Sequence, residues 1–153
     1  MPIFYINGMT LKLAIASDHA GFALKEFLKS NFKAQPVEWV DLGTYSAESV
    51  DYPDFGKKIA EAVANGDFEK GVAICGSGVG ISIACNRNPK VRAALCANVT
   101  TSRLSRQHND ANILCLGERL IGTEVALDIL KTFLETEFEG GRHAGRVDKL
   151  SSC

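Results

Sequence analysis

The amino-acid sequence predicts an α/β fold with a parallel sheet and right-handed crossovers. Short apolar runs alternate about five times with amphipathic segments, and short connections join them. The chain has 153 residues, of which 46% are hydrophobic and 23% charged, which suits one domain with a real core. We expect residues 9–153 to form that domain and residues 1–8 to be a leader or an added remnant, because the regular pattern starts only at Leu11.

Five short apolar runs are predicted to be the strands of the sheet: residues 11–16, 37–42, 71–75, 91–96 and 112–116. The third run, GVAIC, is apolar throughout, as expected for a central parallel strand that helices cover on both faces. Gly43 closes the second strand. Neither an internal repeat nor a linker interrupts this order, so the sequence gives no sign of a second domain.

Amphipathic segments after the strands predict five helices, at residues 21–32, 53–64, 80–86, 101–107 and 123–138. Apolar residues recur at spacings of three and four in the first and last of these segments. Pro53 suits the first turn of the second helix, and the third helix opens directly from the loop GSGVG. Lys25 and Lys29 are at helical spacing and are expected to lie on a solvated face.

The charge of the chain is balanced. The 17 basic and 18 acidic residues give a net charge of −1, which argues against nucleic acid or an anionic membrane as a partner. No apolar run approaches the ~18 residues of a membrane span. The N-terminus lacks the basic region of a secretory signal, and the number of cysteines, five, is odd. We therefore expect a cytoplasmic protein with free thiols.

The residues that follow each strand are the candidates for function, because ligands of parallel α/β sheets bind at the carboxyl ends of the strands. Cys75 ends the third strand, and the loop 76–80 (GSGVG) joins it to a helix. The three glycines of this loop allow backbone N–H groups to converge on one anion, beside the positive end of the helix dipole. Ile83 stands where a dinucleotide fingerprint needs glycine, and a tight turn explains the glycines equally well.

Cys75 lies at the mouth of this loop, where the helix dipole favours a thiolate that acts as base or nucleophile. The alternative is a small buried apolar residue, which is what we expect of the cysteines elsewhere in apolar runs, namely Cys85, Cys96 and Cys115. The chain has no C-x-x-C pair and no evident cluster of His, Asp and Glu. We therefore expect neither a metal nor a cofactor.

The histidines and arginines lie in polar segments. His108 follows a helix and suits acid–base catalysis near neutral pH, and Asp18 either orients a hydroxyl or caps the first helix. Arg142 and Arg146 are four residues apart among glycines, which indicates a phosphate clamp on a mobile or draped tail, or else a solvated helix end. Arg119, after the fifth strand, is a further candidate cation.

Five segments, in this order, resemble a family of sugar-phosphate isomerases: SDHAG, GTYSAESVDYPD, ICGSGVGISIACN, SRQHNDANILCLGER and FEGGRHAGRV. The family holds the B-type ribose-5-phosphate isomerases and the galactose-6-phosphate and allose-6-phosphate isomerases. The resemblance covers Leu11 to about Val147. It implies a three-layer, Rossmann-like sandwich with a five-stranded parallel sheet, to which the periodicity adds a C-terminal helix and a tail. It also implies a homodimer, or a tetramer, with active sites at the subunit interface.

By position, the resemblance assigns a role to each candidate residue. It implies that Cys75 is the base that moves a proton between C1 and C2, that His108 opens the furanose ring, and that Asp18 assists at a sugar hydroxyl. The enediolate oxygen is held by the loop amides and one hydroxyl, from Gly76, Ser77, Gly78, Val79 and Gly80. The other substrate contacts are Tyr52 and Asn109 at the sugar, with His19, Arg119, Arg142 and Arg146 at the phosphate.

The sequence thus predicts a metal-independent aldose–ketose isomerase that interconverts ribose 5-phosphate and ribulose 5-phosphate, a reaction of the pentose phosphate pathway. Many family members have Thr where this chain has Ser77, a change that keeps the hydroxyl. The presence of Cys75 indicates the branch of the family that uses a thiol base. Two alternatives stay open: a six-carbon substrate, allose 6-phosphate or galactose 6-phosphate, and a phosphate-binding module without catalysis.

Overall fold

The computed structural model describes residues 10–153, and the expected leader at residues 1–8 lies outside them. Its sheet has five strands, all paired in parallel, in the order β2-β1-β3-β5-β4. The strands are β1 (Leu11–Ser17), β2 (Val37–Asp41), β3 (Gly71–Cys75), β4 (Ala93–Leu95) and β5 (Ile113–Gly117). The predicted five-stranded parallel sheet is therefore confirmed. The strand order reverses between β1 and β3, which makes their carboxyl ends the topological switch point of the sheet.

Helices follow the strands as predicted, with one addition at the C-terminus. They are α1 (Phe22–Asn31), α2 (Tyr52–Ala64), α3 (Val79–Cys85), α4 (Val99–Asn109), α5 (Thr123–Glu135) and α6 (Arg142–Leu150). A single 3-10 turn, His19–Gly21, precedes α1. The helix α5 ends at Glu135, before the predicted residue 138, because Thr136 takes an extended conformation with φ of −94° and ψ of 128°. In the described part of the chain, no helix combines the length and the apolar character that crossing a membrane requires.

The prediction of a draped tail at residues 140–146 is wrong, because most of that segment belongs to α6. Gly140 and Gly141 have φ of +66° and +54°, and these left-handed conformations turn the chain into the helix. Only His143 and Val147, one turn apart, are buried residues of α6. The sequence pattern does not predict this helix, because Gly145 lowers the helix propensity and two buried positions are too few for an apolar stripe.

Two apolar clusters cover the faces of the sheet and confirm the three-layer sandwich. One cluster contains Leu13 and Ile15 of β1 with the buried residues of α1 and α5. The other contains Ala14 and Ala16 of β1 with those of α2 and α3. The strands β3 and β5 are buried along their whole length, which accounts for the continuous apolar runs in the sequence.

Lys25 is fully buried, so its predicted place on a solvated face is wrong. Its Nζ lies 2.5 Å from Asp41 Oδ2 at the end of β2, and Lys29 Nζ lies 2.7 Å from the same oxygen. Burial opposes the charge of Asp41, but hydrogen bonds from both lysines and from the Gly43 N–H outweigh it and hold the pKa of Asp41 below its usual value. This network fixes the start of the loop that leads from β2 to α2.

Candidate active site

A cavity of about 290 Å³ opens at the switch point between the carboxyl ends of β1 and β3. Most of the predicted site residues line it, together with Ala20 and Leu120: Asp18, His19, Tyr52, Cys75, Gly76, Ser77, Gly80 and Arg119. They come from four connections that are distant in sequence. The parallel sheet brings them together because its strands end at one edge.

The loop after β5 is held against the loop after β3 by backbone hydrogen bonds. Glu118 N–H donates to the Cys75 carbonyl and Arg119 N–H donates to the Gly76 carbonyl, both at 3.0 Å. The Glu118 carboxylate accepts a hydrogen bond from the Leu24 N–H near the start of α1. Sequence reasoning missed Glu118, although an acidic residue is a common partner for the free amides of a helix start. These contacts place the Arg119 guanidinium beside the thiol loop, residues 75–80.

The Cys75 thiol is 4% exposed and accepts a hydrogen bond from Gly78 N–H at 3.1 Å. Gly78 has φ of +77°, a left-handed conformation that aims its N–H back at the sulfur. Val79 N–H donates to the Ser77 hydroxyl oxygen at 3.2 Å. Two of the loop amides therefore donate to two different side chains, those of Cys75 and Ser77, and the convergence of the loop amides on one anion stays a prediction.

Glycines at 76 and 80 let two larger side chains approach the loop closely. A Cβ atom on Gly76 would lie 3.1 Å from Arg119 Nη1, and a Cβ atom on Gly80 would lie 2.7 Å from the Tyr52 ring. Tyr52 is the first residue of α2 and is partly exposed, so its ring forms one side of the cavity. Both glycines therefore shape the cavity as well as the turn.

Asp18 and His19 follow β1 directly. Asp18 is 5% exposed, and its Oδ1 accepts a hydrogen bond from Gly21 N–H at 3.0 Å, so it caps the 3-10 turn as the simpler interpretation expected. It also lines the cavity, so the two roles coexist. His19 Nδ1 lies 3.2 Å from both the N and the O atom of Val50. This contact ties the segment before α2 to the end of β1.

His108 and Asn109 do not line the cavity of Cys75 in the same chain. They lie at the end of α4 and line a second cavity of about 300 Å³, with His143, Arg146, Val147 and Leu150. The reason is topological: α4 runs antiparallel to the strands it connects, so it ends at the opposite edge of the sheet, where β5 begins. The predicted constellation is therefore divided between two cavities, and Arg142, at the exposed start of α6, lines neither.

In the second cavity the rings of His108 and His143 stack with centroids 4.4 Å apart and planes 15° from parallel. Loss of solvent and the positive charges of His108 and Arg142 lower the pKa of His143, while Glu139 opposes the shift. An ion pair between the buried Arg106 Nη1 and the partly exposed Asp110 Oδ1, 2.8 Å apart, fixes the end of α4. The backbone of Asp110, which follows α4, has a left-handed conformation with φ of +47°.

The expectation that no cluster would suit a metal does not hold for one group in the described part of the chain. Ligand atoms of His108, Glu139 and His143 all lie within 4.8 Å of one another. Glu139 and His143 are four residues apart, a spacing that could have indicated a shared ligand site. A tail at this position gave no reason to place the two residues beside His108.

The remaining cysteines behave as predicted. Cys85, Cys96 and Cys115 are buried, and Cys153 is exposed. Burial raises the pKa of the Cys96 thiol to about 11. A hydrogen bond with Cys85 and burial raise the pKa of Cys115 well above its ordinary value. All three buried cysteines are packing residues, and the raised pKa values of Cys96 and Cys115 keep those two thiols un-ionised.

A thiol, a carboxylate and a glycine-rich loop thus meet at the switch point of a parallel α/β sheet, an arrangement typical of enzymes that act on small molecules. A family model described as Ribose/Galactose Isomerase matches residues 13–150. The chain belongs to this family.

Similar proteins match this chain over nearly its whole described length. Ribose-5-phosphate isomerase B of Escherichia coli is 43% identical over 141 residues, which are 92% of this chain and 95% of that protein. The solved structure of Clostridium thermocellum ribose-5-phosphate isomerase B is 54% identical with a TM-score of 0.90, and the match covers 93% of this chain and 96% of that one. A ribose 5-phosphate isomerase from Thermotoga maritima is 49% identical with a TM-score of 0.91, over 95% and 100% of the two chains. The predicted family and fold are confirmed.

Proposed function

We propose that this chain is an aldose–ketose isomerase that interconverts ribose 5-phosphate and ribulose 5-phosphate. The observation that carries the proposal is that Cys75 lines one cavity together with Asp18, Ser77 and Arg119. The similar proteins from three organisms are named ribose-5-phosphate isomerases, and the chain covers at least 95% of each of them. Nothing in the proposed chemistry calls for a metal or a cofactor.

The reaction begins when His108 donates a proton to the ring oxygen and Asp18 accepts the proton of the C1 hydroxyl, so the bond between C1 and the ring oxygen breaks and the C1 carbonyl forms. The Cys75 thiolate then removes the proton from C2. The electrons of that C–H bond form the C1–C2 double bond, and the C1 carbonyl oxygen becomes the negative oxygen of a cis-enediolate. The thiol returns the proton to C1, and the C2 hydroxyl proton moves to O1. C1 is thereby reduced and C2 oxidised within one molecule.

The loop after β3 stabilises the intermediate in this scheme. Backbone N–H groups of the loop and the Ser77 hydroxyl donate to the negative oxygen, and each oxyanion donor contributes about 3–4 kcal/mol to lowering the barrier. Gly78 N–H already donates a hydrogen bond to the Cys75 sulfur, which holds the proposed base against the loop. The phosphate binds to His19, Arg119, Arg142 and Arg146, away from the reacting carbons, and its binding energy positions the sugar.

We also propose that the active form is a homodimer, alone or as half of a tetramer, in which each site takes His108, Asn109, Arg142 and Arg146 from a second copy. Two observations support it. In one chain, His108 and Arg146 line a cavity separate from that of Cys75. Exposed apolar side chains also adjoin the thiol loop, on α3, β4 and the start of α4: Val79, Ile83, Leu95 and Val99. A second copy would cover these side chains while delivering its cations to the site.

The function is tested with purified protein and ribose 5-phosphate in EDTA, with allose 6-phosphate and galactose 6-phosphate as comparison substrates. We expect ribulose 5-phosphate to form, and Cys75→Ala to lower kcat by about 10²–10⁴-fold because it removes the base. Cys153→Ser, which removes the exposed thiol, is the matched control and should leave kcat unchanged. Folded protein with no turnover would refute the proposal, and faster turnover of a six-carbon sugar would reassign the substrate.

The shared site is tested by mixing Cys75→Ala chains with His108→Ala chains after unfolding and refolding them together. If His108 acts in the site of the other copy, each mixed dimer has one intact site. Random assembly makes half of the dimers mixed, so we expect about a quarter of the wild-type activity. Activity no higher than that of the two separate variants would place His108 and Cys75 in the same chain's site.

We propose a cytoplasmic location for this enzyme. Its support is the state of the cysteines: all five are free thiols, and four of them are buried. Quantitative labelling of thiols in rapidly quenched cells tests the location, since a disulfide-bonded population would contradict it.

A further inference from the structure

We propose that His108, Glu139 and His143 form a binding site for a divalent transition-metal ion, with Zn²⁺ as the best-suited ion, and that an ion bound there stops isomerisation. Their ligand atoms lie within 4.8 Å of one another, and His143 Nε2 is 3.7 Å from Glu139 Oε2. Ligands that surround Zn²⁺ tetrahedrally at about 2.0–2.2 Å lie roughly 3.3–3.6 Å apart. Small side-chain rotations therefore bring the three atoms to coordination distance.

The backbone holds the three residues near one another. Glu139 N–H donates to the Gln107 carbonyl at 3.1 Å, which attaches the connection before α6 to the residue that precedes His108. The glycine turn follows, and His143 N–H donates to the Gly140 carbonyl at 3.0 Å. His143 is buried against the stacked ring of His108, whereas the Glu139 side chain is exposed and can rotate toward an ion.

Two imidazoles and one carboxylate select the class of ion. Nitrogen ligands suit Zn²⁺ and its neighbours in the first transition series, whereas Mg²⁺ and Ca²⁺ prefer sites made of oxygen. Three protein ligands leave a fourth position open for water. The positive charges of Arg142 and Arg146 on the same helix oppose a cation, so we expect an exchangeable ion rather than a permanent structural one.

The inhibition follows from the proposed function and rests on it. A ring nitrogen of His108 that binds the ion cannot also hold the proton that opens the furanose. The ion also places positive charge and bound water beside Arg146, which shares the cavity. Isomerisation should therefore stop when the site fills and return when EDTA removes the ion.

Binding is tested in a chain that carries Cys75→Ala and Cys153→Ser, which removes the cavity thiol and the exposed thiol as competing ligands. Zn²⁺ is titrated by calorimetry, and Co²⁺ by its visible absorption. We expect one ion per chain, with affinity lowered at least tenfold by Glu139→Gln and at least tenfold by His143→Ala. Glu124→Gln, an exposed carboxylate in the first turn of α5, is the matched control and should bind normally. Absence of binding, or binding that both variants leave intact, would overturn the proposal.

Inhibition is tested in the otherwise unchanged chain. Without metal, Glu139→Gln should isomerise ribose 5-phosphate at the rate of the unchanged chain, and it should need at least tenfold more Zn²⁺ for half inhibition. Equal sensitivity of the two proteins would mean that Zn²⁺ acts elsewhere, for example on Cys75, and would overturn the inhibitory role. If the chain had no isomerase activity at all, the proposed function would fail, but the binding titration would still decide whether the site exists.

Discussion

Replacing Gly80 by alanine should lower activity while leaving the fold nearly as stable. The new Cβ atom would lie 2.7 Å from Cε2 and Cζ of Tyr52, whereas carbon atoms in good contact are about 3.5–4.0 Å apart. The ring must therefore move by about 1 Å. Tyr52 is partly exposed, so its ring can move at a rotamer cost of about 0.5–1.5 kcal/mol. Alanine in the helix α3 stabilises the fold by about 0.5–1 kcal/mol relative to glycine, so this gain and the rotamer cost nearly cancel.

The catalytic effect should be much larger than the effect on stability. Tyr52 lines the cavity where the sugar is proposed to bind, and a displacement of about 1 Å in a catalytic cavity can cost about 10²-fold in rate. We expect kcat/KM for ribose 5-phosphate to fall about 10–100-fold, which corresponds to about 1.4–2.7 kcal/mol. Urea unfolding gives the stability and initial-rate kinetics give kcat/KM.

Two controls separate this mechanism from general damage. Gly122→Ala adds the same methyl group where no atom beyond the adjacent residues lies within 4 Å, and it should leave kcat/KM unchanged. In a Tyr52→Ala background, Gly80→Ala should cause no further loss, because the ring that it displaces is already gone. Wild-type activity in Gly80→Ala, or fully additive losses in the double variant, would refute the reasoning.

Three further predictions concern the interior. Lys25→Met should lower the free energy of unfolding by about 1–3 kcal/mol in urea, because it removes a buried partner of Asp41 while Lys29 remains; an unchanged unfolding midpoint would count against this. The folded-state pKa of Asp41 lies below its unfolded value of about 3.9, so the charged carboxylate stabilises the fold fully above pH ~3.9 and loses this effect as the pH falls through the folded-state pKa. Asp41→Asn should therefore weaken the loss of unfolding free energy at acid pH, measured by urea unfolding from pH 5 to about 2. Iodoacetamide at pH 8 should label Cys153 in the folded protein before Cys96, whose pKa is about 11; equal labelling rates by mass spectrometry would contradict the assigned burial.

The sheet was predictable because its central strands are buried on both faces. β3 keeps its predicted bounds, since only a fully apolar segment can occupy that position. Among the described strands, β4 lies at the edge and pairs only with β5, and it keeps three of the six predicted residues because a single ladder supports it. Lys25 was misjudged for a different reason: helical spacing describes a face, but only the packing of α1 shows that Asp41 supplies a carboxylate to it.

The cavity that Cys75 lines was also predictable, because the residues that follow parallel strands all lie at the carboxyl edge of the sheet. Asp18, Cys75 and Arg119 are brought together by this rule alone. The rule does not apply to His108, which ends a helix and so belongs to the other edge. Family resemblance placed it with Cys75, but the folded chain separates them. Glu139 was not predicted as a site residue, because its position beside His108 depends on the glycine turn into α6. That helix has no apolar pattern from which it could be predicted.

Cys75 and His108 line separate cavities of one chain, and this separation affects how copies of the proposed enzyme assemble. Cys75, the proposed base, ends the fully buried strand β3, and the pairing of β3 with β5 fixes its position. Arg142 and Arg146, the proposed phosphate ligands, lie on α6, which buries only His143 and Val147. Because the phosphate is remote from C1 and C2, a less rigid element can hold it without disturbing the geometry of proton transfer. A second copy that packs on the exposed apolar side chains beside the thiol loop would both fix α6 and complete the site, so dimer formation and active-site formation would be a single event.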